Sequence, residues 1–306
     1  MWEENYCMSL KNHNHWAKAL PYLAPALIAL AVIAVYPMFY SLFSSMFSWN
    51  LHQPHLRQFV GFRNYIDLFT SSRFLNSLQV TLGYSVLSVA LSMILGFITA
   101  LLIQKPFWGR GLVRTLLIIP LIIPPVVAGL LWRVFMLEPD LGLVNYFLSV
   151  IGIQGPAWLA QSRTAFLGIV IADVWVYTPF VMMIMDAALD GVPENVRESA
   201  FMDGATYVQV TFYIVLPMIR AIAMFTLLFR FTTVFRMFDI IYIMTTGGPG
   251  FATEVLSIFS YNTALRMFRM GYANASVITM AFIISLIAII IIKITQRMGG
   301  SRVWDK

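Results

Sequence analysis

Long apolar runs broken by short polar ones organise this chain. Six runs stand out, at residues 20–47, 78–103, 112–137, 166–189, 219–244 and 273–294, and each is long enough for a helix to cross a bilayer, which takes about 20 apolar residues. A transmembrane barrel needs short alternating segments instead, and none are visible. The pattern predicts an all-α membrane protein with six transmembrane helices. Composition agrees: 59% of residues are hydrophobic and 11% charged, too apolar for a water-soluble domain of this length.

The first run is too long for a secretory signal and no small-x-small cleavage site follows it, so it reads as a retained helix. The one cysteine, Cys7, excludes an intramolecular disulfide. His13 and His15 flank Asn14 without the further ligands that a closed metal site requires.

Lysines and arginines in short loops set orientation. Lys11 and Lys18 precede the first run, Lys105, Arg110 and Arg114 lie between the second and third, and Lys293, Arg297, Arg302 and Lys306 close the chain. With six spans these segments share one side, which the rule makes cytoplasmic. Arg57, Arg63, Arg73, Arg163, Arg266 and Arg269 on the other side weaken the bias. The expected layout is a cytoplasmic tail at 1–19, a six-helix domain at 20–296 and a cytoplasmic tail at 297–306, in a multi-pass protein of a bacterial or archaeal cell membrane.

Between the fourth and fifth runs, residues 190–217 form a polar island on the cytoplasmic side. Pro193 suits the start of a helix, and Glu194 and Glu198 would sit at its positively polarised end, predicting a short helix over 194–202. Gly204 follows where a chain leaving such a helix uses positive φ. A second helix is expected over 207–213, with Pro217 opening the next span. The result is a helix-turn-helix elbow along the membrane surface, with Phe201, Met202, Val208 and Phe212 free to fill a partner's groove. An elbow merely resting on lipid headgroups is the alternative, but such helices are rich in Lys and Arg, whereas this one has Arg197 against Glu194, Glu198 and Asp203.

Glu198-Ser199-Ala200, Asp203-Gly204-Ala205 and Ile214, Leu216, Pro217 keep fixed gaps: Gly204 lies six residues after Glu198 and Ile214 ten after Gly204. This spacing resembles the coupling loop of permease subunits of ABC importers, with Ser199 where an alanine is usual. Tyr36-Pro37, Asn64-Tyr65, Gly111-x-x-Arg114, the run from Pro120 to Pro125, Trp175-x-x-x-Pro179-Phe180, Phe238-Asp239 and Thr246-Gly247-Gly248-Pro249 extend the resemblance over about residues 18–296, to the maltose and oligosaccharide branch. Departures are a 138–163 segment too short for the large extra domain of the maltose example and the lack of two added N-terminal spans.

The resemblance implies a subunit forming half of a sugar pathway. Its partners would be a second, homologous but different permease, two ATPase subunits that carry the ATP and Mg, an extracytoplasmic sugar-binding protein, the sugar and membrane lipid; nucleic acid is not among them. It assigns ATPase coupling to Glu198, Ser199, Ala200, Asp203, Gly204, Ala205, Ile214, Leu216 and Pro217. This chain has no G-x-x-x-x-G-K-[ST] phosphate loop and carries no cofactor of its own.

Charges inside spans cost at least about 2.5 to 3.5 kcal/mol on insertion scales and normally face a bundle interior or wet cavity. Asp173 and Arg230 are the clearest. Asp173, Tyr177 and Phe180 share a helix face, as do Arg230, Val234 and Met237. Their offsets resemble the sugar-site positions of the branch, so these six, with Val176, form the expected substrate pathway. An Asp173–Arg230 ion pair holding the bundle together is compatible with that. Trp132 and Trp175 read as packing residues. Pro120, Pro124, Pro125 and Pro179 free carbonyls that a lined pathway could satisfy. Residues 50–76 and 138–163 read as loops, and 254–268 as a short external helix meeting the binding protein. From another class, a proton-coupled secondary transporter would use Asp173 as its carrier, but matching inverted halves are not visible; no His-rich or paired-carboxylate cluster supports a membrane enzyme.

Overall fold

The computed structural model describes residues 15–299, with side chains described over 21–296; Cys7, His13, the His15 side chain and most of both tails lie outside these. Five helices among the described residues are long and apolar enough to span a membrane, and a sixth span is a broken pair.

Helix α1 begins as His15–Leu30, widens at Ala31–Val35 and ends as Tyr36–Ser45. A two-stranded antiparallel ribbon follows, β1 (Phe47–Ser48) with β2 (Gln58–Phe59), Phe47 facing Phe59. Next comes α2 (Arg63–Thr70). Asn64 Nδ2 donates to the carbonyls of Ser45 at 2.7 Å and Phe47 at 3.0 Å, and Tyr65 shares a 2.6 Å hydrogen bond with Ser45 Oγ. These bonds satisfy carbonyls left open at the end of α1 and tie the ribbon to it. The 50–76 stretch is therefore built structure rather than loop.

Helices α3 (Ser72–Gln104) and α7 (Ser162–Asp190) make the central pair. The buried stripe of α3 is small: Ser77, Thr81, Ser85, Ser88, Ser92, Gly96 and Ala100 recur at three- and four-residue steps. Small side chains let backbones approach where lipid supplies no hydrophobic drive between helices. A Cβ on Gly96 would come within 2.6 Å of the Val181 side chain.

The third span is not one helix. Helix α4 (Arg110–Ile122) and α5 (Pro125–Leu131, continued to Met136) meet at a 100° bend. Pro124 offers no donor to continue α4, and Pro125 suits the first turn of a new helix. Helix α6 (Leu143–Val150) then occupies part of the 138–163 stretch expected to be loop.

The fifth span starts earlier and ends earlier than its apolar run. After α8 (Glu194–Met202), α9 runs Tyr207–Phe235 without interruption. There is no separate helix at 207–213, and Pro217 does not open the span. Wide turns at Val210–Val215 precede Pro217 and absorb its missing N–H, as π turns do. Residues 239–244, assigned to this span from apolarity, instead form α10 (Asp239–Thr245).

The short helix expected within 254–268 is α11 (Leu256–Tyr261, widening at Asn262–Arg266), and it is built into the body. Leu256, Ile258 and Phe259 are buried in the main core with residues of α3, α7 and α9. Helix α12 (Met270–Gly299) closes the chain against α1, α2 and α11.

Candidate functional site

Two places collect the candidate residues. The first is the turn between α7 and α9. Helix α8 stops in a pattern of two backbone bonds: Gly204 N donates to Phe201 O and Ala205 N to Ala200 O, each at 3.0 Å. This is a Schellman stop, in which Gly204 takes the left-handed position at φ 84°. Ala200 and Ala205 are the apolar pair that usually accompanies such a stop. Thr206 then opens α9 through a capping box: Thr206 N donates to Gln209 Oε1 at 2.8 Å and Gln209 N to Thr206 Oγ1 at 3.4 Å. Stop and start signals abut, so one helix gives way to the next across four residues, 203–206.

The nine coupling candidates divide into two sets. Ala200 is buried in a core cluster with Ala100, Ile103, Met185, Leu189 and Val210, and Ala205, Ile214 and Leu216 pack against it. Glu198, Ser199, Asp203, Gly204 and Pro217 are exposed. Phe201, Met202, Val208, Phe212 and Tyr213 are exposed beside them, Met202 at 87%. The turn thus presents an apolar and acidic tip while its alanines and aliphatic residues hold it to the body. Arg197, noted in the sequence only as a lone cation, adds a clamp: its Nη2 donates to the Leu189 carbonyl at 2.6 Å, joining α8 to the end of α7.

The second place is the middle of the bundle. Asp173 of α7 and Arg230 of α9 form an ion pair buried to 0% and 1% exposure. Arg230 Nε donates to Ser92 Oγ of α3 at 3.3 Å, and the guanidinium lies 4.3 Å from the Tyr177 ring centroid. One side chain therefore ties three helices. Tyr84 Oη, Ser88 Oγ, Asp173 Oδ1 and Arg230 Nη1 are buried without hydrogen-bond partners among the described residues. Val176, Val234 and Met237 lie inside the apolar core. Tyr177 and Phe180 are half-buried, and Phe180 stacks on Phe229 at 5.0 Å. Trp132 and Trp175 pack edge to face at 5.9 Å.

Sequence reading missed a third polar centre. Glu254, 1% exposed, accepts from Arg73 Nη2 at 2.6 Å, Arg73 Nε at 2.8 Å, Asn262 Nδ2 at 3.1 Å and Ser77 Oγ at 3.3 Å. The Thr246–Thr253 loop folds beside it, with Thr253 Oγ1 donating to Gly248 O at 2.7 Å. Gly247 has φ 97°, and a Cβ there would meet Ile258 at 3.2 Å. No group of three or more potential metal ligands occurs among the described residues.

Comparison with known proteins accords with this architecture. The trehalose/maltose transport system permease protein MalF of Thermococcus litoralis is 34% identical over 240 residues, 78% of this chain and 81% of the relative. The trehalose transport system permease protein SugA of Mycobacterium tuberculosis is 33% identical over 272 residues, 89% of this chain and 86% of the relative. Among solved structures, a bacterial ABC transporter involved in import of the acidic polysaccharide alginate superposes with a TM-score of 0.81 at 25% identity, covering 94% of this chain and all of that one. The family described as binding-protein-dependent transport system inner membrane component matches residues 92–303. The chain belongs to that family, as a non-catalytic, multi-pass membrane component.

Proposed function

We propose that this chain is a permease subunit of an ATP-driven sugar importer, forming half of the pathway beside a second permease of the same fold. The 198–217 turn docks on a separate ATPase, which carries ATP and Mg, and a soluble sugar-binding protein delivers substrate from the opposite side. The observation that carries this reading is the division at the turn: four motif residues packed inward, and an exposed rim of Glu198, Asp203, Phe201 and Met202 facing away from the body. Apolar side chains ringed by acidic ones suit a groove on a protein better than anionic lipid, which would repel the acids. Relatives named for trehalose, maltose and alginate support a saccharide as cargo.

In this arrangement the turn and both chain ends lie in the cytoplasm. Closure of the ATPases on ATP pulls the turn and reorients the bundle. Tyr177 and Phe180 offer aromatic faces for sugar C–H groups, while the Asp173–Arg230 pair shapes the wall behind them. A proton-coupled carrier is not favoured, since Asp173 is committed to Arg230.

Copurification tests the docking. An ATPase should come down with the native chain and be lost with Gly204→Asp, which strains the left-handed turn and adds an anion to the rim. Substituting a non-glycine residue at φ 84° costs on the order of 1–2 kcal/mol, too little to unfold the protein, so the variant should still reach the membrane. Retention of a full complement of ATPase by Gly204→Asp would refute docking at this turn. Uptake of labelled trehalose and maltose by cells with and without the chain tests the cargo.

A further inference from the structure

One buried carboxylate is used neither by the turn nor by the central pair. Asp186, 2% exposed, sits one turn from the inner end of α7, and its Oδ2 lies 3.0 Å from Arg114 Nη2 on α4. Neither Asp186 oxygen has another partner among the described residues. Three residues further along α7, the Leu189 carbonyl takes the hydrogen bond from Arg197 of α8. The same turn of α7 is thus gripped from two sides: by the docking turn through Arg197 and by the broken span through Arg114.

Beyond its 100° bend, α5 lies against α10. Arg133 Nη1 donates to the Ile243 carbonyl at 2.9 Å, and a Cβ on Gly129 would come within 3.2 Å of the Ile243 side chain. Helix α10 leads directly into the 246–253 loop. The contacts therefore run from the docking turn to the end of α7, through α4 and the bend, to α10 at the far side. Ion pairs and stiff helices are elements able to carry such coupling.

We propose that Arg114 and Asp186 are positioning residues that transmit movement of the docking turn to the broken span and so to the 246–253 loop. The inference rests on the proposed function, because it requires an ATPase to move the turn. When the turn shifts, Arg197 drags the end of α7. Asp186 passes that displacement to α4, and the rigid bend converts it into movement of α5 against α10. Without the ion pair, α7 can slide past α4 and the far end is released from the ATPase cycle.

The test uses the assembled complex with a reporter cysteine, Gly250→Cys in a Cys7→Ser chain. Gly250 is exposed and a side chain there meets nothing within 4 Å; its φ of 55° adds a small strain, which Phe251 beside it already tolerates at φ 68°. The readouts are the labelling rate by a fluorescent maleimide with and without Mg-ATP plus vanadate, and ATP hydrolysis by the same preparation. In the parent complex the nucleotide state should change the labelling rate about fivefold; Arg114→Gln and Asp186→Asn should reduce that change to less than about twofold while hydrolysis continues. The exchange Arg114→Asp with Asp186→Arg should restore it in part. Arg114→Lys keeps the charge but alters reach and geometry, so it should assemble normally and show a reduced response even if the neutral variants do not assemble. A full nucleotide response in Arg114→Lys and in either neutral variant that assembles would overturn the proposal, as would no response in the parent. An absence of any copurifying ATPase would instead defeat the functional reading on which it rests.

Discussion

Replacing Arg230 by alanine leaves Asp173 with no counter-ion at a position of 0% exposure. Breaking a buried ion pair by removing one partner costs about 3–5 kcal/mol, because the remaining charge stays desolvated. The lost stack on Tyr177, at 4.3 Å, adds up to about 2 kcal/mol for a desolvated cation–π contact, and the lost bond to Ser92, at 3.3 Å, about 1 kcal/mol. These terms overlap, so a net loss near 5 kcal/mol is the working figure, about the whole stability of a marginal domain. Arg230→Ala and Asp173→Asn alone should each lower the amount of assembled complex and its unfolding midpoint in detergent. The double replacement Asp173→Asn with Arg230→Gln removes both charges, keeps similar volume and leaves amide groups that can pair. It should recover most of the assembled complex and the uptake, since neutralising a buried pair is often near neutral in energy. Measuring assembly, midpoint and uptake for the native chain, Asp173→Asn, Arg230→Gln and the double mutant gives the coupling between the two sites. A double mutant that assembles fully yet transports nothing would refute this reasoning and place the charges against the sugar itself.

Three further outcomes are expected. Arg73→Ala should cost about 1.5–3 kcal/mol, because Glu254 loses its charge-assisted bonds to Arg73 but keeps those from Asn262 and Ser77, and Arg73→Lys should recover only part of it because the bidentate geometry is lost; thermal unfolding of the purified complex measures both. Single cysteines at Gly152 and Gly250 in a Cys7-less chain should react with an impermeant thiol reagent in intact cells and one at exposed Val208 should not; external labelling at Val208 would reverse the proposed orientation. Thr206→Ala removes the capping-box hydroxyl and should cost about 1 kcal/mol, read as a lower melting temperature with ATPase binding retained.

What was legible in the sequence is what depends on neighbours along the chain. Spans follow from local apolarity, and the stop at Gly204 follows from its place after a helix with small residues around it. The capping box at Thr206 and Gln209 was equally local and could have been read, which would have shown α9 starting there rather than at Pro217. Pairings across the fold were not legible. Arg73 and Glu254 stand 181 residues apart, and nothing in either segment announces the other. Burial of residues 254–263 was not legible either, since they include Glu254, Ser257, Ser260 and Asn262. In the fold most of these polar groups find partners within the protein: Ser257 Oγ donates to the Met237 carbonyl at 2.6 Å, and Asn262 Nδ2 donates to Glu254 at 3.1 Å. Burial of polar residues depends on such partners, which a single segment does not reveal. The 100° bend was foreshadowed by Pro124 and Pro125, but its size depends on where α5 finds its packing, against α10.

The fixed gaps of the turn have a physical origin in this geometry. Ala200 and Ala205 must stand five residues apart because the Schellman stop joins those two positions by a backbone bond. From Gly204 the chain reaches Ile214 in ten residues, passing through the capping box and the wide turns at Val210–Val215. A residue added to or removed from that stretch would turn everything after it by about 100°, the angle per residue implied by 3.6 residues per turn. Ile214 and Leu216 would then leave the cluster formed with Val210, Val215 and Ile219, and the outward rim would lose its orientation to the body. The spacing therefore keeps two faces in register, one that anchors and one that is offered. An exchange at an exposed rim position such as Ser199 changes chemistry without disturbing that register, whereas a change in length at the same place would disturb both.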